Sequence, residues 1–317
     1  MSKSPDKPPV ICLMGPTASG KTAMAMELVQ RIPAQIISVD SAQVYRGMDI
    51  GTGKPVPEEL ATAPHRLIDI RDPADIYSAS DFREDALRHI AEIQQAGDLP
   101  LLVGGTMLYF KVLRDGLAAM PTADPRVRHE IEALAATDGW QSVHDELARV
   151  DPESAARIHP NDPQRLQRAL EVYRVSGQPM TALHEQEKQA SVADFPFDLH
   201  FFAIQPEQRA VLHEQIRKRF MQMIEAGLLQ EVEALHARND LHEGLPSIKA
   251  VGYRQVWDYL EGRVNYDEML ERSIIATRQL AKRQLTWLRS WANLHSLTDP
   301  SAESIDRVLK FAASVSI

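Results

Sequence analysis

Short apolar runs alternate with amphipathic stretches over the first hundred residues of the chain. Because each run is brief and bounded by turn residues, four of them predict strands: 10–14, 35–40, 67–70 and 100–105. Residues 21–32 predict a helix that Pro33 ends, and 81–96 predict a second helix before Gly97. Strands that alternate with helices predict an α/β fold whose mostly parallel sheet is covered on both faces.

The middle of the chain changes character. Residues 119–199 lose the strand-like runs and contain three Asp-Pro pairs, which begin at Asp124, Asp151 and Asp162. Asp at the N-cap followed by Pro at the first helical position is a strong start signal. The third of these helices is predicted to end at Ser176-Gly177. We therefore predict an all-helical insertion over 119–199.

Strand character returns at 200–204, and Pro206 stops it. The rest is predicted to be mainly helical, with helices at 207–226, 228–238, 250–260 and 267–292, a short strand at 293–297 and a last helix. The core is thus predicted to be discontinuous, built from 1–118 and 200–317 around the insertion.

Composition narrows the class of protein. The 317 residues include 44 acidic and 35 basic ones, a net charge of −9, and this average argues against a nucleic-acid partner unless basic groups are placed locally. A single cysteine, Cys12, excludes a disulfide framework. The sequence shows no apolar run long enough to cross a bilayer and no signal-peptide shape, so a cytoplasmic protein without a membrane partner is expected.

One segment fits the phosphate-binding motif G-x-x-x-x-G-K-[ST], with a predicted strand before it and a helix after it. It consists of Gly15, Pro16, Thr17, Ala18, Ser19, Gly20, Lys21 and Thr22. In such a loop backbone N–H groups surround phosphate, the lysine neutralises phosphate oxygens and the threonine hydroxyl can ligate Mg²⁺. The motif predicts a site for a diphosphate or triphosphate and leaves the reaction open.

Other signals limit the reaction. The N-K-x-D motif of GTPases is absent from the sequence. Asp40 and Asp69 each end a predicted strand, where open α/β sheets bind their ligands, and either could hold Mg²⁺ through water or simply cap a turn.

Seven longer strings closely resemble the tRNA dimethylallyltransferases, also called tRNA isopentenyltransferases. They are GPTASGKT at 15–22, SVDSAQVYRGMDIGTGKP at 38–55, PHRLID at 64–69, VGGTMLY at 103–109, IHPNDPQR at 158–165, IKAVGYRQ at 248–255 and TRQLAKRQ at 277–284. The resemblance implies a P-loop kinase-like parallel-sheet core with a helical insertion domain. It implies transfer of a dimethylallyl group from dimethylallyl diphosphate to N6 of the adenosine 3′-adjacent to the anticodon. Two departures, Gly53 for a common Ala and Lys249 for a common Arg, are expected to lie away from the chemistry.

The resemblance also implies catalytic roles. Asp40 matches the general base that accepts the amine proton, and Thr106 matches a residue near the reacting centre. Arg219 matches the arginine that stabilises the diphosphate leaving group, with Arg217 as its local rival. Thr22 would ligate the Mg²⁺ cofactor.

Contacts to the tRNA anticodon stem-loop are implied for three segments in addition to Asp40, Thr106 and Arg128. They comprise Ser41, Ala42, Gln43, Gln164, Arg165, Leu166, Gln167, Arg168, Lys249, Ala250, Val251, Gly252, Tyr253 and Arg254. The target base must leave its stack to reach the pocket, which costs least for an unpaired loop base. A monomer is expected.

The predicted helix at 267–292 remains ambiguous. Five basic residues and no acidic one occur between Arg272 and Leu297, and they could line the diphosphate site or merely face solvent. Trp287 and Trp291 are expected to pack in the core rather than stack on bases. Two other functions stay open: a P-loop kinase of a nucleotide or small metabolite, and a non-catalytic tRNA-binding protein, which the intact phosphate loop disfavours.

Overall fold

The fold was analysed in a computed structural model, which describes residues 7–116, 120–190 and 195–315. Two compact units divide the chain. The first runs to Val112 and resumes at Pro196, and the second comprises Leu113–Phe195. Among the helices of the described ranges, none combines the length and apolar character needed to cross a membrane.

The first unit contains a six-stranded sheet. Its strands are β1 (Pro9–Met14), β2 (Ala34–Val39), β3 (His65–Arg66), β4 (Leu99–Gly104), β5 (Asp198–Ile204) and β6 (Leu294–Leu297). The order is β3-β2-β4-β1-β5-β6, and every pairing is parallel. In β1, the residues from Val10 to Met14 are fully buried, which matches the continuous apolar run of a strand covered on both faces. The predicted α/β fold with a parallel sheet is confirmed.

The strand predicted at 67–70 is wrong. The structure has only the two-residue β3 just before it, paired with Ile36 and Ile37 of β2. Leu67 and Asp69 adopt φ angles of +64° and +56°, which no strand accommodates. The segment instead bonds to the loop after β2, since the Asp69 N–H donates to the Gln43 carbonyl.

Helices make up the other regular structure described in the first unit. They are α1 (Lys21–Arg31), α2 (Pro57–Thr62), α3 (Ala79–Gln95), α4 (Met107–Asp115), α9 (Arg209–Glu225), α10 (Leu228–His236), α11 (Tyr253–Leu260), α12 (Tyr266–Arg289) and α13 (Ala302–Val315). One core cluster joins Leu28 of α1, Leu101 of β4 and Val308 of α13. Pro33 follows α1 as predicted and directs the chain into β2.

The second unit is all helical in the described residues, with α5 (Pro125–Val150), α6 (Pro152–Arg157), α7 (Pro163–Ser176) and α8 (Met180–Ala190). The three Asp-Pro start signals are confirmed: the Asp124, Asp151 and Asp162 carboxylates each accept a backbone N–H of the first turn. Gly177, at φ +71°, ends α7 at the predicted position. A kink at Gly139 divides α5.

Candidate active site

A cavity of about 520 Å³ opens in the first unit where β1, β2 and β4 end. Parallel strands in open α/β sheets place their ligand sites at this edge. Among its lining residues are Lys21, Asp40, Thr106, Arg219 and Lys249, so segments far apart in the sequence meet there. The sequence motifs therefore converge on one pocket.

The phosphate loop connects β1 to α1 along one wall. Ala18 and Gly20 have φ angles of +62° and +84°, which curl the backbone, and the Ser19 N–H donates to the Pro16 carbonyl at 3.3 Å. Thr17, Ala18, Lys21 and Thr22 line the cavity. The Ser19 hydroxyl is buried without a hydrogen-bond partner in the protein, and such a group needs one.

The cavity lining carries more basic than acidic side chains, with Lys21, Arg219, Lys249 and Arg283 against Asp40. The pKa of Lys21 is lowered from 10.5 to about 8, chiefly by burial and then by the charge of Arg219, while Asp40 acts in the opposite direction. The Lys21 ammonium donates to the Pro16 carbonyl at 3.3 Å. Burial also lowers the pKa of Arg219, and Asp40 raises it. A site with this excess of positive charge suits an anion.

Asp40 follows β2 and is held through one oxygen. Its Oδ1 accepts the Ala42 N–H at 2.8 Å and the Gln43 N–H at 3.3 Å. The turn fixes the carboxylate at the cavity wall. Asp69, the other acidic candidate, pairs with Lys54 at 2.5 Å and lies outside the cavity lining.

Thr106 follows the Gly104-Gly105 turn at the end of β4. Its Oγ1 accepts the Ser41 N–H at 3.1 Å, and its own N–H donates to the Val39 carbonyl at 3.2 Å. A Cβ on Gly104 would collide with the Val39 carbonyl, which explains the glycine. Thr106 thus lies beside the Asp40 turn.

Arg219 and Arg217 have different surroundings. Arg219 lines the cavity, whereas Arg217 is exposed on α9 and lies outside the lining. Residues two apart on a helix point to different sides. The guanidinium of Arg219 lies against Gly53, so the expectation that Gly53 stands away from this part of the site is wrong. Lys249, the other departure, also lines the cavity.

The loop at 49–53 is clasped by Glu231. The carboxylate accepts the N–H groups of Asp49, Ile50 and Gly51 at 2.9, 2.8 and 3.1 Å, and it also accepts the hydroxyl of Tyr253. The Gln43 side chain bonds the same loop at the Gly53 carbonyl, at 3.3 Å. These contacts hold the backbone against which Arg219 packs.

Two of the predicted tRNA-contacting residues, Gln43 and Tyr253, take part in these hydrogen bonds. The Gln43 amide also accepts the Ser38 hydroxyl at 2.8 Å, and the Tyr253 side chain is fully buried, so both side chains serve the local structure. Both residues also line the cavity, as do Ser41, Ala42 and the residues from Lys249 to Gly252. Arg254 lies outside the lining and pairs with Glu243 and Asp258.

The predicted tRNA contacts of the second unit are organised by Glu171. This buried carboxylate pairs with Arg128 at 2.8 Å and with Arg168 at 2.7 Å. The Leu166 side chain is fully buried in the core of the unit. Gln167 donates to Glu132 at 2.8 Å. Of this set, Gln164 and Arg165 are exposed.

One face of α12 contributes Thr277, Leu280, Arg283, Gln284 and Trp287 to the cavity lining. Arg283 is one of the basic residues for which the sequence left a place at the diphosphate site open, whereas Thr277, Leu280 and Gln284 were not assigned to the site. Trp287 lines the cavity and is 36% exposed, so its expected place in the core is wrong, while Trp291 is buried against Phe201 as expected. The spacing of 277, 280, 284 and 287 is a helical stripe that could have signalled a shared face.

Within the described ranges no three His, Cys, Asp or Glu residues cluster to hold a metal ion. A metal in this cavity would depend on a hydroxyl or single carboxylate together with oxygens of a bound ligand, which is how Mg²⁺ is commonly held.

Comparisons with known proteins agree with the fold and the motifs. The family model described as IPP transferase matches residues 43–291. A tRNA isopentenylpyrophosphate transferase from Bacillus halodurans is 37% identical with a TM-score of 0.71, covering 98% of this chain and 97% of that one. Its Staphylococcus epidermidis counterpart is 33% identical with a TM-score of 0.68, covering 97% and 100%.

A eukaryotic dimethylallyltransferase acting on tRNA is 24% identical with a TM-score of 0.80, covering 97% of this chain and 79% of that one, and it supports the fold alone. The family match spans well over half of the chain, and both bacterial structures align along nearly its whole length. The chain therefore belongs to the IPP transferase family.

Proposed function

We propose that this enzyme transfers a dimethylallyl group from dimethylallyl diphosphate to N6 of the adenosine 3′-adjacent to the anticodon of tRNA. Dimethylallyl transfer to a tRNA adenosine is the reaction of the family. The observation that carries the proposal is one cavity in which a phosphate loop, the cations Lys21 and Arg219 and the carboxylate of Asp40 meet. The cations complement the charge of a diphosphate, and the carboxylate can accept a proton from an amine.

The diphosphate would bind at the phosphate loop. Its backbone N–H groups and the N-terminal end of α1 favour an anion, and the unpartnered Ser19 hydroxyl supplies a further donor. Lys21 and Arg219 would stabilise the negative charge that grows on the leaving group. Arg217, exposed on α9, has no part in this proposal.

Mg²⁺ fits the same end of the cavity. Thr22 is the second residue of α1, next to Lys21, and lines the cavity, so its hydroxyl is a suitable oxygen ligand next to a bound diphosphate. When bound, Mg²⁺ would neutralise diphosphate charge and make it a better leaving group.

Asp40 would accept the proton. The adenosine N6 attacks C1 of the dimethylallyl group, the C1–O bond to diphosphate breaks, and the N6 proton passes to the carboxylate. The two N–H bonds to Oδ1 orient this group toward the cavity. Thr106 lies beside the turn and would position the adenine.

The tRNA would present a flipped base. The residues from Ser41 to Gln43 and from Lys249 to Gly252 line the cavity and would contact that base and its neighbours. We propose that exposed Gln164 and Arg165 of the insertion meet the anticodon stem-loop together with the partly exposed Arg128 and Arg168, whose guanidinium groups are held by Glu171 and, for Arg168, also by the Pro121 carbonyl. We also propose a cytoplasmic monomer of 35.5 kDa.

A substrate comparison tests the proposal. Purified protein with Mg²⁺ is incubated with unmodified tRNA and either dimethylallyl diphosphate or ATP. Transfer from dimethylallyl diphosphate to tRNA is expected, and phosphoryl transfer from ATP to a small acceptor is not. The opposite pattern would establish the kinase alternative, and tRNA binding without turnover would establish the non-catalytic one.

A further inference from the structure

Gln284 of α12 bridges two segments of the cavity wall. Its Oε1 accepts the Thr17 N–H of the phosphate loop at 2.9 Å, and its Nε2 donates to the Gly105 carbonyl at 2.9 Å. The side chain is only 8% exposed. An amide flipped by half a turn would oppose donor to donor and acceptor to acceptor, so both bonds depend on this one orientation.

The packing around this bridge allows little adjustment. A Cβ on Gly105 would collide with Nε2 of Gln284 and would lie 3.2 Å from the Gly15 carbonyl. The phosphate loop, the Gly104-Gly105 turn and Gln284 are therefore in direct contact. Movement of one of these segments displaces the others, because buried groups are close-packed.

Each of the two segments that Gln284 joins leads along the chain to a residue with a proposed role in the reaction. On one side, Thr17 is four residues before Lys21 in the phosphate loop. On the other, Gly105 precedes Thr106, whose hydroxyl accepts the N–H of Ser41, the residue after Asp40. A continuous path thus runs from the proposed diphosphate cradle to the proposed base.

We propose that Gln284 is a positioning residue that fixes the distance between the donor and acceptor halves of the site. The Thr17 N–H donates to Gln284 rather than pointing to a bound anion. This hydrogen bond therefore stabilises the shape of the phosphate loop. Attack on an allylic carbon needs the amine and C1 in line at near-contact distance, and a small misplacement lowers the rate steeply. This inference rests on the proposed transferase function.

The test compares Gln284→Met, which keeps the size and removes both bonds, with Gln284→Asn, whose amide is one methylene too short to reach both partners. Gln279→Met, at an exposed position of the same helix, is the matched control. We expect kcat to fall about tenfold or more in both Gln284 variants, with KM for each substrate changed far less. The control should keep the wild-type kcat.

Amide hydrogen exchange of the substrate-free protein gives a readout that is independent of turnover. Exchange should rise at 15–22 and at 104–109 in the Gln284 variants and stay unchanged in β5, since a general loss of stability would affect that strand too. Should Gln284→Met not fold, Gln284→Asn carries both measurements.

The outcomes separate this inference from the function on which it rests. Wild-type protein that transfers the dimethylallyl group, with variants equal to it in kcat or altered only in KM, would overturn the role of Gln284 alone. Wild-type protein without transfer would overturn the proposed function and this role with it. Reduced kcat with local exchange at both segments supports the role.

Discussion

The guanidinium of Arg219 lies directly against Gly53, at the place where any other residue would carry its Cβ. Gly53 also has a φ angle of +60°, and its carbonyl accepts a hydrogen bond from the Gln43 amide. A loop position without a side chain therefore sets the place of a cavity cation. This relationship is specific enough to be tested by adding one methyl group.

Gly53→Ala should impair the reaction by displacing Arg219. Gly47→Ala is its matched control, because Gly47 has a similar φ of +72° and open space where the Cβ would go. Both changes incur backbone strain of about 1–2 kcal/mol. We expect only Gly53→Ala to lower kcat/KM for dimethylallyl diphosphate, by about tenfold. Equal activities of the two variants in a steady-state assay would contradict the account.

Arg219→Gln should lower kcat by about 10²–10³-fold, because it removes a preorganised charge from the leaving group. Arg217→Gln, two residues earlier and exposed, should stay near the wild-type rate. Steady-state kinetics of the pair measures this directly. A larger loss for Arg217→Gln would transfer the role to that residue.

Asp40→Asn should abolish most turnover while leaving binding of dimethylallyl diphosphate intact. The amide oxygen can still accept the Ala42 and Gln43 N–H groups, so the turn is kept and only proton acceptance is lost. A fall in kcat of about 10²–10⁴-fold is expected in single-turnover measurements. Asp69→Asn, which alters the pair with Lys54 outside the cavity, should retain wild-type kcat.

Binding of dimethylallyl diphosphate in the absence of tRNA should weaken as pH rises through 8. The pKa of Lys21 in the free protein is lowered to about 8, so its ammonium is present below this pH and lost above it. An anionic ligand prefers the protonated form, which binds more tightly. Calorimetry from neutral to alkaline pH should show the inflection in wild-type protein and its disappearance in Lys21→Met. An inflection that persists in the variant would assign it to another group.

Removal of the Glu231 carboxylate should loosen the 49–53 loop. Three backbone N–H groups and the Tyr253 hydroxyl lose their acceptor in Glu231→Ala, so the free energy of unfolding should fall by about 2 kcal/mol or more. Glu233→Ala, exposed on the same helix, should change it by less than about 0.5 kcal/mol. Urea unfolding curves compare the two, and equal losses would contradict the clasp.

Local signals predicted much of this fold. The Asp-Pro caps, the end of α7 at Gly177 and the apolar strand β1 depend on neighbours in the sequence, and the structure has them where the pattern placed them. The segment 67–70 failed because its apolar residues resemble a strand while Leu67 and Asp69 take left-handed φ angles. Those angles depend on contacts with the loop after β2, which no local pattern contains.

Site residues that belong to a recognisable sequence motif could be predicted. Residues that reach the cavity only through the packing of a helix could not. The sequence identified the phosphate loop, Asp40, Thr106 and Arg219. All of them contribute to the lining of one cavity. Gln284 and Trp287 were missed because a glutamine or tryptophan on a helix is ordinary until the helix is placed beside the loop. The apolar Leu166 lies in a motif-bearing segment, yet its side chain packs inward.

The central claim is transfer of a dimethylallyl group to one adenosine of the anticodon loop, and paired substrates test it most directly. Two anticodon stem-loops that differ only in adenosine or guanosine at the position 3′-adjacent to the anticodon are each incubated with the enzyme, Mg²⁺ and dimethylallyl diphosphate labelled at C1. The account predicts label in the adenosine stem-loop alone, recovered at N6 of that nucleoside. Label in neither stem-loop, or equal label in both, would contradict it.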